Sequence, residues 1–144
     1  MTAAPRVDTA QLMELFSVSL GVFYGDFALA AASENLTASQ AKALAVLRRG
    51  PAAMRGLAEV LACDASNVTG IIDRLEKRDL VRREAAASDR RVKTVVLTPE
   101  GERVADAVRA GMRTTLDGLE RLDDGDRDRL YELLERVFVT RPAS

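Results

Sequence analysis

The chain has no histidine and a single cysteine, Cys63, among its 144 residues. Zinc and copper sites are built mainly from imidazole and thiolate ligands, so a transition-metal sensor is not expected, and neither is any metal or other cofactor. One cysteine also forms no disulfide within the chain. Without histidine the commonest general base is missing, and the sequence has neither a Gly-rich phosphate loop nor a nucleophile-elbow pattern. We therefore expect a protein that is not an enzyme.

Long apolar runs are scarce as well. No positively charged N-terminal segment precedes an apolar core, and no apolar stretch is expected to approach the roughly 20 residues that span a bilayer. The sequence thus predicts a soluble, cytoplasmic protein with no membrane contact. Its 47% hydrophobic content is sufficient for one packed domain, or for a small domain with an oligomerisation element.

The net charge of −1 hides an uneven distribution. Residues 37–98 carry twelve Lys or Arg against seven Asp or Glu, whereas residues 1–36 and 99–144 each have three more acidic than basic side chains. A basic centre between acidic flanks is expected when only the centre contacts phosphates. A solvated surface of mixed charge gives similar counts, so the distribution needs support from motifs.

Apolar periodicity predicts a mainly α-helical chain with one β-hairpin. The first helix runs from Asp8 to about Ala32, and Gly21 and Gly25 within it indicate either a close contact or a bend. The other predicted elements are a helix opened by a Thr37 and Gln40 capping box, a short uncapped helix over Met54 to Leu61, a helix from Asp64 to near Asp79, a hairpin with strands 81–84 and 92–97, a long helix from Thr98 to about Leu122, and a last helix from Asp123.

The helix beginning at Asp64 is the candidate base-reading helix, because it follows a short helix at the spacing of a helix-turn-helix. Asp64 is its predicted N-cap and Asn67 its third helical residue. Its predicted core face is Val68, Ile71, Ile72 and Leu75, and its opposite face includes Ser66, Asn67, Thr69, Gly70, Asp73 and Arg74. Short polar groups near a helix N-terminus reach base edges in the major groove, and glycine permits close approach. Ordinary capping and solvation is the alternative interpretation.

The hairpin tip concentrates Arg90 and Arg91 beside Asp89. An arginine held out on a turn can enter the narrow minor groove next to such a helix, and Asp89 would orient one of the two. A solvated turn with a weak surface ion pair is the alternative. The position of the tip, one hairpin after a helix-turn-helix, favours the DNA-binding interpretation.

The stretches LTASQAKALAVL, GLAEVL, SNVTGIIDRLEKRDLV and SDRRVKTVVLTPEG resemble the MarR family of bacterial transcriptional regulators, and the likeness extends over nearly the whole chain. The resemblance implies a winged helix-turn-helix over 37–98, flanked by dimerisation helices in 1–36 and 99–144. It implies a homodimer that regulates transcription, as a ligand-responsive repressor, from a pseudo-palindromic site on double-stranded DNA. Arg74 would be a phosphate or structural contact, and Arg90 or Arg91 the minor-groove contact.

The resemblance also implies a small aromatic or phenolic ligand. Phe16, Phe23, Tyr24 and Phe27 would line its pocket, or would form dimer core instead. Ala53 and Gly56 depart from the family's capping pattern, so the helix at Met54 is expected to fray or to begin late. Cys63 is interpreted as a small buried apolar residue rather than a redox switch. A winged helix that binds protein instead of DNA would need an acidic or apolar recognition face, which the sequence lacks.

Overall fold

The computed structural model describes residues 6–61 and 67–139. Over these ranges the helices are α1 Thr9–Ser33, α2 Ala38–Leu47, α3 Met54–Val60, α4 Val68–Lys77, α5 Pro99–Gly111, α6 Arg113–Glu120 and α7 Asp124–Leu134, which continues as a π-helical turn, Glu135–Val139. The strands are β1 Ala52–Ala53, β2 Val81–Ala85 and β3 Lys93–Leu97. The predicted fold class, mainly α-helical with a small antiparallel wing, is confirmed.

The chain divides into two compact units, Met1–Met112 and Arg113–Ser144. The first contains α1 to α5 and the sheet, and the second contains α6 and α7. The largest fully buried side chains are Leu44, Leu57, Leu61, Ile72, Leu75, Leu80, Val81, Val95 and Val104. They come from α2, α3, α4, both wing strands and α5, so the predicted base-reading helix and the wing are built on one core.

The sheet has the strand order β1, β3, β2, and both pairings are antiparallel. In the wing, Val81 lies opposite Leu97 and Ala85 opposite Lys93. Strand β1 was not predicted from the sequence, because two alanines carry no alternating apolar pattern. It pairs Ala52 with Val95 and thereby attaches the start of α3 to the wing.

Helix α1 begins with a capping box in which Asp8 accepts from the backbone N–H of Gln11 and Gln11 accepts from that of Asp8. By length and composition α1 could cross a membrane: it has 25 residues and an 18-residue window of mean hydropathy 1.6, of which 17% is buried. The expectation that no apolar stretch approaches this length is therefore wrong. Glu14 and Asp26 interrupt the apolar sequence of α1, but the helix as a whole remains apolar.

Glycines do not interrupt α1, which continues through Gly21 and Gly25. A Cβ added at either position would meet nothing within 4 Å inside the chain. No close contact to another described part of the chain therefore explains these two glycines.

Two helix boundaries differ from the prediction. Helix α4 begins at Val68 and has Asn67 as its N-cap, so Asn67 is not the third helical residue that the sequence predicted. Asp64, the predicted N-cap, and Cys63 lie outside the described residues. Helix α5 ends at Gly111 instead of running to Leu122, because buried Met112 leaves the helical region at ψ 64°. Glycine weakens the helix at that point, and Gly111 packs against Ala30 of α1. The predicted lack of a cap at α3 is confirmed, since Ala53 makes no side-chain cap bond, but the expectation of a late start is wrong, because α3 begins at Met54.

Candidate nucleic-acid interface

Helix α4 has one buried and one exposed face. Its buried residues are Val68, Ile71, Ile72 and Leu75, as the apolar spacing predicted. Thr69, Asp73 and Arg74 are exposed on the other side, and Gly70 is half-buried. Ser66 lies outside the described residues. Apart from half-buried Gly70, the described part of the polar face predicted to meet DNA is thus exposed.

The first turn of α4 is held by Asn67 and Gly70. The Oδ1 atom of Asn67 accepts a hydrogen bond of 2.8 Å from the Gly70 backbone N–H. A Cβ at Gly70 would lie 2.4 Å from Nδ2 of Asn67. Glycine here therefore makes room for the capping amide, a local role that the sequence did not reveal. Asn67 serves as a cap in the free protein, which leaves its Nδ2 hydrogens as donors for another partner.

Arg83, on wing strand β2, connects the wing to α4. Its guanidinium lies 2.6 Å from Asp73 Oδ1 and 2.8 Å from Glu76 Oε1. The hydrogen bond to Asp73, with the charge of Glu76, raises the pKa of Arg83 above its ordinary value, so the bridge stays charged at every pH at which its two carboxylates are ionised. The arginine is 27% exposed, and its two partners are more open. This bridge links the wing to the candidate reading helix in addition to the core that the two share.

The two arginines at the wing tip, Arg90 and Arg91, make different contacts. Oδ1 of Asp89 accepts a hydrogen bond of 3.0 Å from the backbone N–H of Arg91 and lies 3.9 Å from its Nε. The turn is closed by the backbone N–H of Val92, which donates to Asp89 O at 3.0 Å. Arg90 is exposed and makes no hydrogen bond or ion pair to any described residue. Asp89 therefore holds the backbone of Arg91 in the turn, whereas the Arg91 side chain is 94% exposed and only loosely approached by Asp89, and the Arg90 guanidinium makes no such contact.

The base of the wing is joined to α5 through Thr98, which is buried. Its hydroxyl donates to Asp79 O at 2.5 Å and accepts from the Gly101 N–H at 3.0 Å. A Cβ on Gly101 would lie 1.9 Å from the carbonyl oxygen of Leu80, so only glycine fits there without displacing backbone. These contacts give a physical reason for the LTPEG stretch that follows the wing.

A cavity of about 330 Å³ lies between helices α1 and α5 on one side and α2 and α3 on the other. It is lined by Phe23, Tyr24, Phe27, Ala41, Lys42, Ala45, Val46, Arg48, Arg49, Val60, Ala105, Val108, Arg109 and Met112. Three of the four aromatic residues predicted for a pocket are among them, and Phe16 is not. The rings of Phe23 and Tyr24 meet edge to face, with centroids 5.6 Å apart.

The cavity lining is basic as well as aromatic. None of the described residues that line it is acidic. Arg48 is engaged by Asp106, with Nε 2.7 Å from its Oδ1, whereas Lys42, Arg49 and Arg109 make no ion pair with a described residue. Such a lining suits an apolar ring that carries a negative group.

The two elements predicted to face DNA are thus joined to each other. Helix α4 exposes its polar face, the hairpin beside it carries Arg90 and Arg91 at its tip, and Arg83 ties the two together. Arg74 adds an exposed positive charge with no ion-pair partner among the described residues. This arrangement defines a winged helix-turn-helix DNA-binding protein.

Comparison with known proteins places the chain within that class. The MarR family profile matches residues 36–93. The putative transcriptional regulatory protein for the hcr operon of Thauera aromatica is 30% identical over 108 residues, which are 74% of this chain and 65%, just under two thirds, of that protein. The HTH-type transcriptional repressor NicR of Pseudomonas putida is 31% identical over 110 residues, 75% of this chain and 70% of that one.

A solved structure gives the same result. CouR from Rhodococcus jostii RHA1, solved with bound p-coumaroyl-CoA, superposes with a TM-score of 0.73 at 25% identity and covers 96% of this chain and 100% of its own. The chain belongs to the MarR family. Members of this family are DNA-binding transcriptional regulators and not enzymes.

Proposed function

We propose that this protein is a cytoplasmic homodimer that represses transcription from a pseudo-palindromic operator and leaves it when a small aromatic anion binds. The supporting observation is the joint presence, in one compact unit, of an exposed polar helix with an adjoining arginine-tipped wing and of a basic, aromatic cavity behind them. The first feature suits DNA and the second suits the ligand.

In this proposal α4 lies in the major groove. Ser66, Asn67, Thr69 and Gly70 face the bases, and Arg74 contacts a phosphate. The wing enters the neighbouring minor groove through Arg90, because Arg91 is partly engaged by Asp89 while Arg90 is not. A free guanidinium reaches the groove without first breaking a contact within its own turn.

Dimerisation is proposed from the apolar surface of α1. Met13, Leu15, Val18 and Leu29 are each more than 60% exposed, and other large apolar side chains of the helix are more than 40% exposed. A surface of this kind marks an interaction site. In the second unit, Tyr131 and Val137 are exposed to a similar degree. A second copy of the chain is the proposed occupant, as the family resemblance implies, and it would also give Gly21 and Gly25 a close neighbour.

The ligand proposal depends on the cavity. The aromatic side chains Phe23 and Tyr24 suit a flat ring, and Lys42 and Arg49 suit a carboxylate or phenolate. CouR is precedent for a bound aromatic acyl compound in a relative. The cavity is lined by α1 and by helices of the helix-turn-helix, so a ligand that pushes them further apart favours a dimer whose two reading helices are wrongly spaced. By linkage that ligand lowers DNA affinity.

The DNA-binding part is tested by a mobility-shift titration with the promoter beside the protein's own gene, at several salt concentrations. A shift that weakens steeply with salt is expected. Arg90→Ala should weaken binding by about 1 to 3 kcal/mol, and Arg91→Ala should weaken it less. Arg129→Ala, an exposed arginine of α7, is the matched control and should change little. If neither wing variant differs from the control, the wing assignment is wrong; if no genomic fragment shifts, the regulator proposal fails.

A further inference from the structure

Arg78 connects the end of the reading helix to the end of α1. It is the C-cap residue of α4, and its guanidinium donates to the carbonyl oxygens of Asn35 at 2.9 Å and Glu34 at 3.1 Å. The two elements are more than forty residues apart in sequence. Both bonds come from one planar group, with Nη1 and Nη2 serving one carbonyl each.

The two carbonyls are available because α1 ends there. The last carbonyl groups of a helix have no partner within it, and they carry the negative end of the helix dipole. Glu34 is the C-cap of α1, and Asn35 adopts a left-handed φ of 56° that turns the chain toward α2. A forked cation fits two adjacent carbonyls, which a single lysine ammonium does not reproduce.

We propose that Arg78 is a positioning residue that fixes the orientation of the reading helix relative to α1, and so sets the spacing of the two reading helices in the dimer. The inference rests on the proposed function, in which α1 of each chain lies in the dimer interface. A helix tied to α1 is then tied to the dimer axis. The buried face of α4 packs against α2 and α3 in the core. The hydrogen bonds between α4 and the end of α1 come from Arg78.

The neighbouring residue offers a matched control. Lys77 is exposed on the same turn of α4 and makes no hydrogen bond or ion pair to a described residue. Lys77→Gln and Arg78→Gln remove the same charge from almost the same place. An effect on DNA that comes from charge alone appears in both variants, and an effect of the link to α1 appears only in Arg78→Gln.

The experiment uses an operator selected from random DNA with the full-length protein, the same operator with one base pair inserted at its centre, and an isolated half-site. Wild type should bind the selected operator at least tenfold more tightly than the lengthened one. Arg78→Gln should reduce that ratio at least threefold and leave half-site affinity within twofold of Lys77→Gln. Arg78→Lys, which keeps the charge but not the fork, should follow Arg78→Gln and also covers the case in which the glutamine variant folds poorly.

The outcomes separate the inference from the proposed function. If wild type binds both spacings equally, a dimer on paired half-sites is contradicted and the role of Arg78 falls with it. If wild type discriminates between the spacings and the Arg78 variants keep the full ratio, the inference alone is overturned. If Arg78→Gln and Lys77→Gln weaken all three DNA molecules equally, Arg78 acts only as a charge, and the inference is again overturned.

Discussion

Replacing Asp73 and Glu76 together, as Asp73→Asn and Glu76→Gln, removes both carboxylates that hold Arg83 and leaves the arginine in place. The variant makes the net charge of α4, the helix proposed to face DNA, more positive by two units. Simple electrostatics therefore predicts tighter DNA binding. The bridge between α4 and the wing predicts weaker binding to a specific site, because the wing loses its ion pairs to the proposed reading helix and is held to it by the shared core alone.

The relative magnitudes favour the second outcome. Partly exposed ion pairs contribute about 0.2 to 1 kcal/mol each, and with Arg83 only 27% exposed we place the two together at about 1 to 1.5 kcal/mol. A unit charge about 10 Å from a phosphate in water is worth about 0.4 kcal/mol, and salt screening lowers this to about 0.1, so the two charges together gain about 0.2 kcal/mol. The loss of wing order therefore exceeds the charge gain by about 1 kcal/mol, or about fivefold in the dissociation constant for the operator.

Fluorescence anisotropy on the selected operator and on an unrelated duplex of equal length measures both effects. Operator binding should weaken about fivefold, whereas the unrelated duplex should bind as tightly as before or slightly more tightly. Hydrogen exchange of the β2 and β3 amides should speed up. Asp117→Asn, which breaks the ion pair with Arg113 in α6, is the control and should leave both values unchanged. Operator binding as tight as wild type, with unchanged exchange in the hairpin, would refute the role of the bridge.

Three further outcomes follow from individual contacts. Asn67→Ala should lower the free energy of unfolding by about 1 kcal/mol in chemical denaturation. Gly70→Ala should lower it more when Asn67 is present than when residue 67 is alanine, because the added Cβ clashes with the capping amide. Additive effects of the two substitutions would contradict this. Gly101→Ala should destabilise by about 3 kcal/mol or more, since its Cβ would lie 1.9 Å from Leu80 O, whereas Gly118→Ala, with open space in α6, should be neutral or stabilising. Arg49→Met should weaken calorimetric binding of a benzoate or cinnamate that binds wild type, without changing operator affinity in the absence of that ligand; equal affinity in the variant would remove Arg49 from the site.

Helix periodicity predicted the elements whose apolar residues point into the core, and α4 is the clearest case. The same signal cannot reveal a break that preserves the spacing. Val104, Val108, Met112 and Leu116 continue the period across the end of α5, although Met112 leaves the helix. Strand β1 escaped prediction for a different reason, since its two alanines obtain their structure from pairing with β3.

Among the site residues, too, local patterns were predictable from the sequence and contacts between distant elements were not. The wing and the polar face of α4 were visible as local patterns, because each occupies a few consecutive residues. Arg83 and Arg78 were not, since their partners lie on other elements and leave no spacing in the sequence. The roles of Gly70 and Gly101 also depend on neighbours, a capping amide and a backbone carbonyl, that only the folded chain brings close.

Methylation of a selected operator by dimethyl sulfate tests the central claim most directly, because this reagent attacks guanine N7 in the major groove and adenine N3 in the minor groove. With α4 in the major groove and Arg90 in the minor groove, bound protein should protect N7 atoms in two patches about 10 base pairs apart, and N3 atoms beside each patch. Arg90→Ala should lose the N3 protection and keep the N7 protection. Protection confined to N3 atoms, or no protection under conditions of full binding, would contradict the assignment of α4 as the reading helix.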